Sequence, residues 1–183
     1  MKHALVIGGS GMLAQVSLWL ANYGYTVSVI GRDHSKLERL ATAHQQIVPL
    51  AVDYNDEHHC RAAVRQSLDS HGAYDIVVAW IHGGIETAER VVEMLQSELN
   101  RVHAVQWTLF HVISSRTDGQ ECRQRMNAIA DCEYYQIQLG FVIDTQRSRW
   151  LTNEEIAGGV IECMRKRDTY YLVGTLTPWE SRP

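Results

Sequence analysis

The sequence has few cysteines and no long apolar segment. Its four cysteines lack C-x-x-C spacing, which excludes the pattern of a zinc knuckle and indicates no disulfide framework. We therefore expect reduced thiols in a cytoplasmic protein. No stretch reaches the roughly 18 apolar residues that a membrane span needs, and glycines interrupt the apolar run after Lys2 before it can form a secretory signal. The nine histidines include no H-E-x-x-H pattern, so we predict no metal site.

A large excess of charge of one sign is also missing. The formal net charge is −4 at pH 7, which argues against a general nucleic-acid or membrane-surface role. Apolar residues make up 45% of the chain and charged residues 21%, the ordinary balance of a globular protein. Because no repeat or low-complexity linker divides the chain, we predict one domain over residues 1–183.

A strand pattern, a glycine turn and a helix pattern stand at the start of the chain. The buried-strand pattern covers His3–Ile7, the turn contains Gly8, Gly9 and Gly11, and an amphipathic run then continues to Tyr23. Glycines let the main chain approach a ligand closely, and the N–H groups at a helix N-terminus attract phosphate. This order predicts a site for the pyrophosphate of a dinucleotide. A strand-to-helix turn without a ligand is the alternative.

The glycine spacing fits two registers. One is G-x-x-G-x-x-A from Gly8 and the other is G-x-G-x-x-A from Gly9, and both end on Ala14. Either register puts a small residue where the helix meets the strand. The sequence does not distinguish between them.

The residues after the second predicted strand bear on which dinucleotide binds. In NAD-binding domains an acidic residue about 20 positions after the glycine turn holds the ribose 2′-hydroxyl, whereas an arginine accommodates the 2′-phosphate of NADP. Here the strand ends in Gly31-Arg32-Asp33. Arg32 offers a bidentate guanidinium to a phosphate, and Ser35 or Lys36 could add a contact. The arrangement favours NADP, while Asp33 leaves NAD as the alternative.

Strand and helix patterns alternate through the rest of the chain. The predicted strands are His3–Ile7, Tyr25–Ile30, Ile47–Val52, Tyr74–Trp80, Trp107–Ile113, Tyr134–Val142 and a last one near Tyr170–Val173. Capping boxes at Ser35 and Thr152 predict two helix starts, and a further helix is predicted around Glu86–Ser97. This alternation predicts an α/β fold, a doubly wound parallel sheet of about seven strands with helices on both faces.

Three segments carry a resemblance to the short-chain dehydrogenase/reductase superfamily. Residues 30–38 are similar to its second strand and helix, Ile113-Ser-Ser115 resembles the strand end that supplies a catalytic serine, and residues 139–142 resemble the Pro-Gly stretch beside the nicotinamide. The resemblance runs from Lys2 to about Thr175 and implies a Rossmann fold. It also implies an NADP(H)-binding oxidoreductase that transfers hydride to or from a small carbonyl or alcohol substrate.

The resemblance assigns cofactor contacts by position. It implies that Gly8 and Gly11 bind the pyrophosphate, that Arg32 marks NADP preference and that Asp53 contacts the adenine with Tyr54 beside it. With the rest of the turn and the end of the fourth strand, the predicted cofactor residues are Gly8, Gly9, Ser10, Gly11, Met12, Leu13, Arg32, Asp53, Tyr54, Ala79 and Trp80. Self-association is also implied, since family members are commonly dimers or tetramers.

The catalytic residues depart from the family pattern. The family's acid/base pair lies in Tyr-x-x-x-Lys, and none of the eight tyrosines here has a lysine four residues later. The fourth strand ends in Ala79-Trp-Ile-His82, where the family usually has Asn-Asn-Ala-Gly. Because His82 follows a strand end where doubly wound sheets bind ligands, and imidazole titrates near neutral pH, we predict Ser115 and His82 as the catalytic residues. A loop histidine without a chemical role is the alternative for His82.

Other polar residues of the sequence are predicted near the same site. Arg116 and Tyr134 are further candidates for the acid/base chemistry, whereas His111 lies inside the fifth predicted strand and is predicted to be a packed, hydrogen-bonded core residue. Two functions remain open. One is an NADP-dependent oxidoreductase with a non-standard proton donor, and the other is a non-catalytic NADP(H)-binding sensor or regulatory protein. Both use the same cofactor site and a small-molecule ligand, and they differ at the nicotinamide end.

Overall fold

The computed structural model describes residues 2–104, 106–145 and 147–183. The strands are β1 (His3–Ile7), β2 (Thr26–Gly31), β3 (Ile47–Ala51), β4 (Ile76–Trp80), β5 (Thr108–Ile113), β6 (Glu133–Leu139), β7 (Phe141–Ile143), β8 (Ser148–Trp150) and β9 (Tyr170–Val173). The helices are α1 (Ala14–Asn22), α2 (His34–Ala43), α3 (Glu57–His71), α4 (Ile85–Arg101), α5 (Gly119–Ile129) and α6 (Asn153–Lys166), followed by a 3₁₀ turn at Trp179–Ser181.

Within the described residues, seven parallel strands form the main sheet. Their order is β3-β2-β1-β4-β5-β6-β9. All five residues of β1 are buried, as expected for a central parallel strand that is covered on both faces. Helices α1, α2 and α6 cover one face of the sheet, and α3, α4 and α5 cover the other. The doubly wound parallel fold that the sequence predicted is confirmed.

The strand order reverses direction between β1 and β4. The chain runs outward from β1 through β2 to β3, then returns to β4 on the other side of β1. The loops at the carboxyl ends of β1 and β4 therefore diverge and leave a crevice, which is where open α/β sheets bind ligands. This topology places the glycine turn after β1 next to the residues that follow β4.

Several predicted elements are confirmed. The bounds of β1 and β9 match the prediction, and α6 begins with the predicted capping box, in which the Thr152 hydroxyl accepts from the Glu155 N–H while the Glu155 carboxylate accepts from the Thr152 N–H. Helix α4 is longer than predicted and extends from Ile85 to Arg101. No helix in the described part of the chain is long and apolar enough to cross a membrane.

The capping box predicted at Ser35 is wrong. Helix α2 begins at His34, and its N-cap is Asp33, whose carboxylate accepts a hydrogen bond from the Lys36 N–H at 3.1 Å. Aspartate is a strong N-cap residue because its side chain satisfies a free N–H of the first turn. Two residues with capping chemistry stand two positions apart, and the helix uses the earlier one.

The sixth predicted strand, Tyr134–Val142, is also wrong in its extent. Strand β6 ends at Leu139, and the chain then enters β7, which pairs antiparallel with β8 in a separate two-stranded sheet. At the break, the Gly140 N–H donates to the Val173 carbonyl at 2.9 Å. A Cβ on Gly140 would lie 2.1 Å from the Thr175 carbonyl oxygen, so only glycine fits this close approach of two backbones.

Candidate functional site

The glycine turn leads from β1 into α1. Gly8 has a φ of +81°, a left-handed conformation that L side chains rarely adopt, and its N–H donates to the Ile30 carbonyl at 3.1 Å. Leu13 is the N-cap of α1 and provides no side-chain cap, and no acidic residue lies in the first turn. The positive end of α1 is therefore not neutralised by a side chain of its own first turn.

Gly9 and Gly11 have different surroundings. A Cβ on Gly9 would lie 2.6 Å from the Ser17 hydroxyl and 2.8 Å from a methyl group of Val6, so Gly9 lets α1 pack closely on the sheet. A Cβ on Gly11 would meet no atom beyond its chain neighbours within 4 Å, and Gly11 is exposed. Gly9 thus has a packing role, whereas Gly11 is an exposed part of the turn, whose N–H donates to the Gly8 carbonyl at 3.3 Å and whose carbonyl accepts from the Ala14 N–H at 3.0 Å.

We expect alanine substitutions at these two glycines to separate stability from binding. Gly9→Ala should lower the free energy of unfolding by about 2 kcal/mol because its methyl group overpacks the α1 contact. Gly11→Ala should change it by less than about 0.5 kcal/mol and should instead weaken nucleotide binding. Urea unfolding and isothermal titration calorimetry measure the two effects, and an equal loss of stability in both variants would contradict this assignment.

Basic side chains stand at the end of β2. The Arg32 side chain is 74% exposed, and its guanidinium lies 3.7 Å from the Asp53 carboxylate. The Lys36 ammonium lies 3.7 Å from Asp33. The Lys36 N–H lowers the pKa of Asp33, whose carboxylate is engaged as the cap of α2. Arg32 and Lys36 therefore present positive charge, while the nearest carboxylate of the loop is held by the helix.

Gly31 explains why no acidic side chain stands at the end of β2. A Cβ at this position would lie 2.6 Å from the Ser10 hydroxyl oxygen. Ser10 belongs to the glycine turn, so the turn and the end of β2 pack directly against each other. The glycine at position 31 is visible in the sequence, but no sequence pattern predicts its contact with Ser10.

These residues line a space that we call the outer groove. It has a volume of about 510 Å³ and lies at the carboxyl ends of β1, β2 and β3. Its lining is Gly8, Ser10, Gly11, Met12, Ile30, Gly31, Arg32, Asp33, Lys36, Val52, Tyr54, Trp80 and His82. The structure thus gathers most of the predicted cofactor residues around one space.

Four predicted cofactor residues do not line the outer groove. Leu13 and Ala79 are fully buried and pack in the two hydrophobic cores. Gly9 is buried under the turn. Asp53 lies beside the groove, paired with Arg32, and its carboxylate accepts the Asn55 N–H at 2.9 Å.

A second space, the inner cavity, lies on the other side of Trp80. It also has a volume of about 510 Å³ and is bordered by the end of β4, by β5 and by the first turns of α4 and α5. Its lining includes Trp80, His82, Glu86, His111, Ser114, Arg116, Glu121 and Cys122. The predicted candidates His82 and Arg116 therefore reach this cavity, and Ser114 reaches it rather than Ser115.

The two serines after β5 differ in their bonding. The Ser114 hydroxyl accepts from the Arg116 N–H and pairs with the Thr117 hydroxyl at 3.1 Å, so it holds the turn together. Ser115 is half-buried. In the part of the chain that the structure describes, its hydroxyl makes no hydrogen bond to another residue. Ser115 is therefore the serine whose hydroxyl is unused by the fold.

His111 and Tyr134 form a buried polar pair below the inner cavity. His111 is 2% exposed, and its Nδ1 lies 3.1 Å from the Tyr134 hydroxyl, which donates to Gln136. Burial lowers the pKa of His111 to about 4 and raises that of Tyr134, so both side chains are neutral at pH 7. The prediction that His111 is a packed, hydrogen-bonded core residue is confirmed. Tyr134, a further acid/base candidate, is held in the same buried pair.

His82 is bonded to the residue two positions before it. The Trp80 indole N–H donates to Nε2 of His82 at 2.7 Å, and the His82 backbone N–H donates to the Tyr54 hydroxyl at 3.0 Å. Because indole is only a donor, Nε2 of His82 is unprotonated in this arrangement and Nδ1 carries the ring proton. This contact was not predicted, although side chains two positions apart in an extended chain lie on the same side.

The comparisons with known proteins agree with this architecture. The short chain dehydrogenase family model matches residues 2–115, which is more than half of the chain. The chain belongs to the short-chain dehydrogenase family. No curated protein sequence matches it.

Solved structures of short-chain dehydrogenases share the fold at low sequence identity. A 3-ketoacyl-(acyl-carrier-protein) reductase from Brucella melitensis complexed with NADH is 16% identical, with a TM-score of 0.66 and coverage of 94% of this chain and 96% of that one. A short-chain dehydrogenase/reductase from Sinorhizobium meliloti is 13% identical, with a TM-score of 0.71 and coverage of 94% and 95%. A variant enzyme from Serratia marcescens is 21% identical, with a TM-score of 0.61 and coverage of 88% and 89%. These likenesses establish the fold.

Proposed function

We propose that this short-chain dehydrogenase binds NADP(H) and transfers hydride between the nicotinamide and a small carbonyl or alcohol substrate. The observation that carries this proposal is the outer groove, where the exposed glycine turn at Gly11 lines the same space as Arg32 and Lys36. An uncapped helix N-terminus suits a pyrophosphate, and exposed cations at the end of β2 suit a 2′-phosphate. The whole chain acts as one nucleotide-binding domain in this proposal.

The surroundings of Arg32 support NADP rather than NAD. Recognition of NAD needs an acidic side chain free to accept from the ribose hydroxyls. A side chain at position 31 would have to displace the Ser10 hydroxyl, and Asp33 is engaged as the N-cap of α2. Arg32 is largely exposed, and its ion pair with Asp53 is long at 3.7 Å. A 2′-phosphate would offer it a shorter, bidentate contact.

The proton donor in this proposal is non-standard. The sequence has no Tyr-x-x-x-Lys pair. We assign Ser115 to bind the substrate oxygen, because its hydroxyl is free while that of Ser114 is used by the turn; since Ser114 and not Ser115 lines the inner cavity, this role requires the Ser115 side chain to turn toward the cavity when substrate binds. His82 lines the inner cavity and is the proton donor in this proposal, and its Nε2 becomes available for proton transfer only after its bond with Trp80 has opened.

A second function, a non-catalytic NADP(H) sensor or regulatory protein, is favoured by one observation. None of the three candidate groups His82, His111 and Tyr134 is ready to donate a proton. Nε2 of His82 accepts a hydrogen bond, and His111 and Tyr134 are buried and neutral. A protein of this kind would bind the cofactor in the outer groove and show no turnover with any carbonyl compound.

Titration with NADPH and NADH tests the cofactor assignment. We expect NADPH to bind the wild-type chain more tightly than NADH. Arg32→Ala should weaken NADPH binding by about 2 kcal/mol, roughly 30-fold, because a charge-assisted contact to the 2′-phosphate is lost. NADH binding should change little. Isothermal titration calorimetry provides both dissociation constants.

Arg39→Ala is the matched control for this titration. Arg39 is exposed on the same helix as Lys36 and does not line the outer groove. This variant removes the same charge, so it reports any general electrostatic effect on binding. If Arg32→Ala and Arg39→Ala weakened NADPH binding equally, Arg32 would not recognise the 2′-phosphate.

A further inference from the structure

Two ring side chains separate the outer groove from the inner cavity. Among the described residues, Trp80 and His82 are the two that line both spaces. The rest of the outer groove comes from the ends of β1, β2 and β3 and the start of α2, whereas the rest of the inner cavity comes from β5, α4, α5 and their loops. The pair of rings therefore forms the wall between the two spaces.

Three contacts hold this wall in place. The indole N–H of Trp80 donates to Nε2 of His82 at 2.7 Å, with the two rings nearly perpendicular at 81°. The Tyr54 hydroxyl accepts the His82 N–H at 3.0 Å. The indole also stands against the glycine turn, since a Cβ on Gly8 would lie 3.5 Å from Cδ1 of Trp80. The wall thus begins directly beside the proposed pyrophosphate site.

A dinucleotide has to cross this wall. Dinucleotides lie across the point where the strand order reverses, so their two nucleotide halves occupy opposite sides of it. With the adenosine half between Arg32 and the glycine turn, the nicotinamide half would have to pass Trp80 and His82 to reach the inner cavity. Each space alone is of the size that holds one small-molecule ligand.

We propose that Trp80 and His82 form a partition that sets the specificity of the site for ligand length. This proposal rests on the proposed function. A ligand that ends after the diphosphate-linked ribose, such as 2′-phospho-ADP-ribose, binds in the outer groove with the partition closed. Complete NADP(H) binds after the hydrogen bond between Trp80 and His82 has opened. Its apparent affinity is therefore reduced by the fraction of molecules in which the partition is open.

Binding of the two probes to wild type and Trp80→Ala tests the partition. We expect wild type to bind 2′-phospho-ADP-ribose at least as tightly as NADPH. Trp80→Ala should tighten NADPH binding about tenfold, because the closed state is removed, and should change the affinity for 2′-phospho-ADP-ribose by less than about twofold. His82→Ala, which removes the acceptor from an exposed position, should give the same selective gain. Calorimetry measures all of these constants, and circular dichroism shows whether each variant is folded.

Two further variants sharpen the result. Trp80→Phe keeps a ring in the wall but lacks the N–H, so it should give a smaller gain for NADPH than Trp80→Ala. Trp179→Ala removes a half-exposed tryptophan that lines neither space and should leave both affinities unchanged. If Trp80→Ala changed the affinities for the two probes equally, or weakened NADPH binding, the partition would be wrong. The proposed cofactor site would not be affected by that result. If wild type bound neither probe, the proposed function itself would be wrong.

Discussion

Ser115→Ala is expected to lower kcat for carbonyl reduction by about 10²- to 10⁴-fold, the range for losing a group that assists proton transfer. The proposal assigns this role to Ser115 because its hydroxyl follows β5 at the ligand-binding edge of the sheet and is not used by the turn, whereas Ser114, which lines the inner cavity, is. The dissociation constant for NADPH should stay within about twofold of wild type, because the outer groove does not include this residue. NADPH oxidation followed at 340 nm with a panel of small carbonyl compounds measures the rate.

Ser114→Ala is the comparison that distinguishes chemistry from loop geometry. The Ser114 hydroxyl bonds Arg116 and Thr117 within the turn, so its loss should affect stability and only modestly affect kcat. A larger fall in kcat for Ser114→Ala than for Ser115→Ala would show that the assignment of the chemistry to Ser115 is wrong. If wild type turned over no compound of the panel while binding NADPH tightly, the sensor function would be favoured.

Glu98→Ala should destabilise the fold by about 3 kcal/mol. Glu98 is 2% exposed between α3 and α4, and its carboxylate accepts hydrogen bonds from three arginines: Arg61 at 3.1 Å, Arg65 at 2.8 and 3.0 Å, and Arg101 at 3.1 Å. The hydrogen bonds from Arg65 are the main cause that lowers its pKa to about 2. A shift of this size from the usual value of about 4.3 corresponds to the expected loss.

The same carboxylate makes stability depend on pH. Its folded-state pKa lies below its unfolded value, so its contribution is fully present above about pH 5 and is lost as the pH falls toward 2. Urea unfolding between pH 7 and pH 3 should show a steeper loss for wild type than for Glu98→Ala. Glu93→Ala, an exposed position on the same helix, should stay within about 0.5 kcal/mol of wild type. Parallel pH profiles for wild type and Glu98→Ala would contradict the prediction.

Local patterns in the sequence predicted the fold well because most strands of the main sheet are short apolar runs bounded by turns. The capping box at Ser35 failed because Asp33 offers equivalent chemistry two residues earlier, and a local pattern does not rank two such residues. The sixth strand was drawn too long because apolar residues continue past Gly140. The partner that bends the chain there, at Val173 to Thr175, is more than 30 positions away.

The candidate site was predictable where it depends on backbone and topology. The glycine turn, Arg32 and Tyr54 could be placed at one edge because parallel strands end together. Contacts between different loops were not predictable, among them the close approach of Ser10 to Gly31. The sequence also did not show that the Ser115 hydroxyl is left free of the hydrogen bonds within the turn. These contacts depend on how the loops approach one another, which residue types alone do not determine.

The close approach of Ser10 to Gly31 restricts how coenzyme preference can be redesigned in this scaffold. An acidic side chain at position 31 would have to occupy the space of the Ser10 hydroxyl, which lies 2.6 Å from where its first carbon would be. A single substitution toward NAD recognition therefore requires the Ser10 hydroxyl to rotate away before the new side chain gains a ribose contact. Replacing Ser10 by glycine first would free this space. The order in which the two substitutions are made therefore affects how well the second is tolerated, in protein engineering and in natural divergence alike.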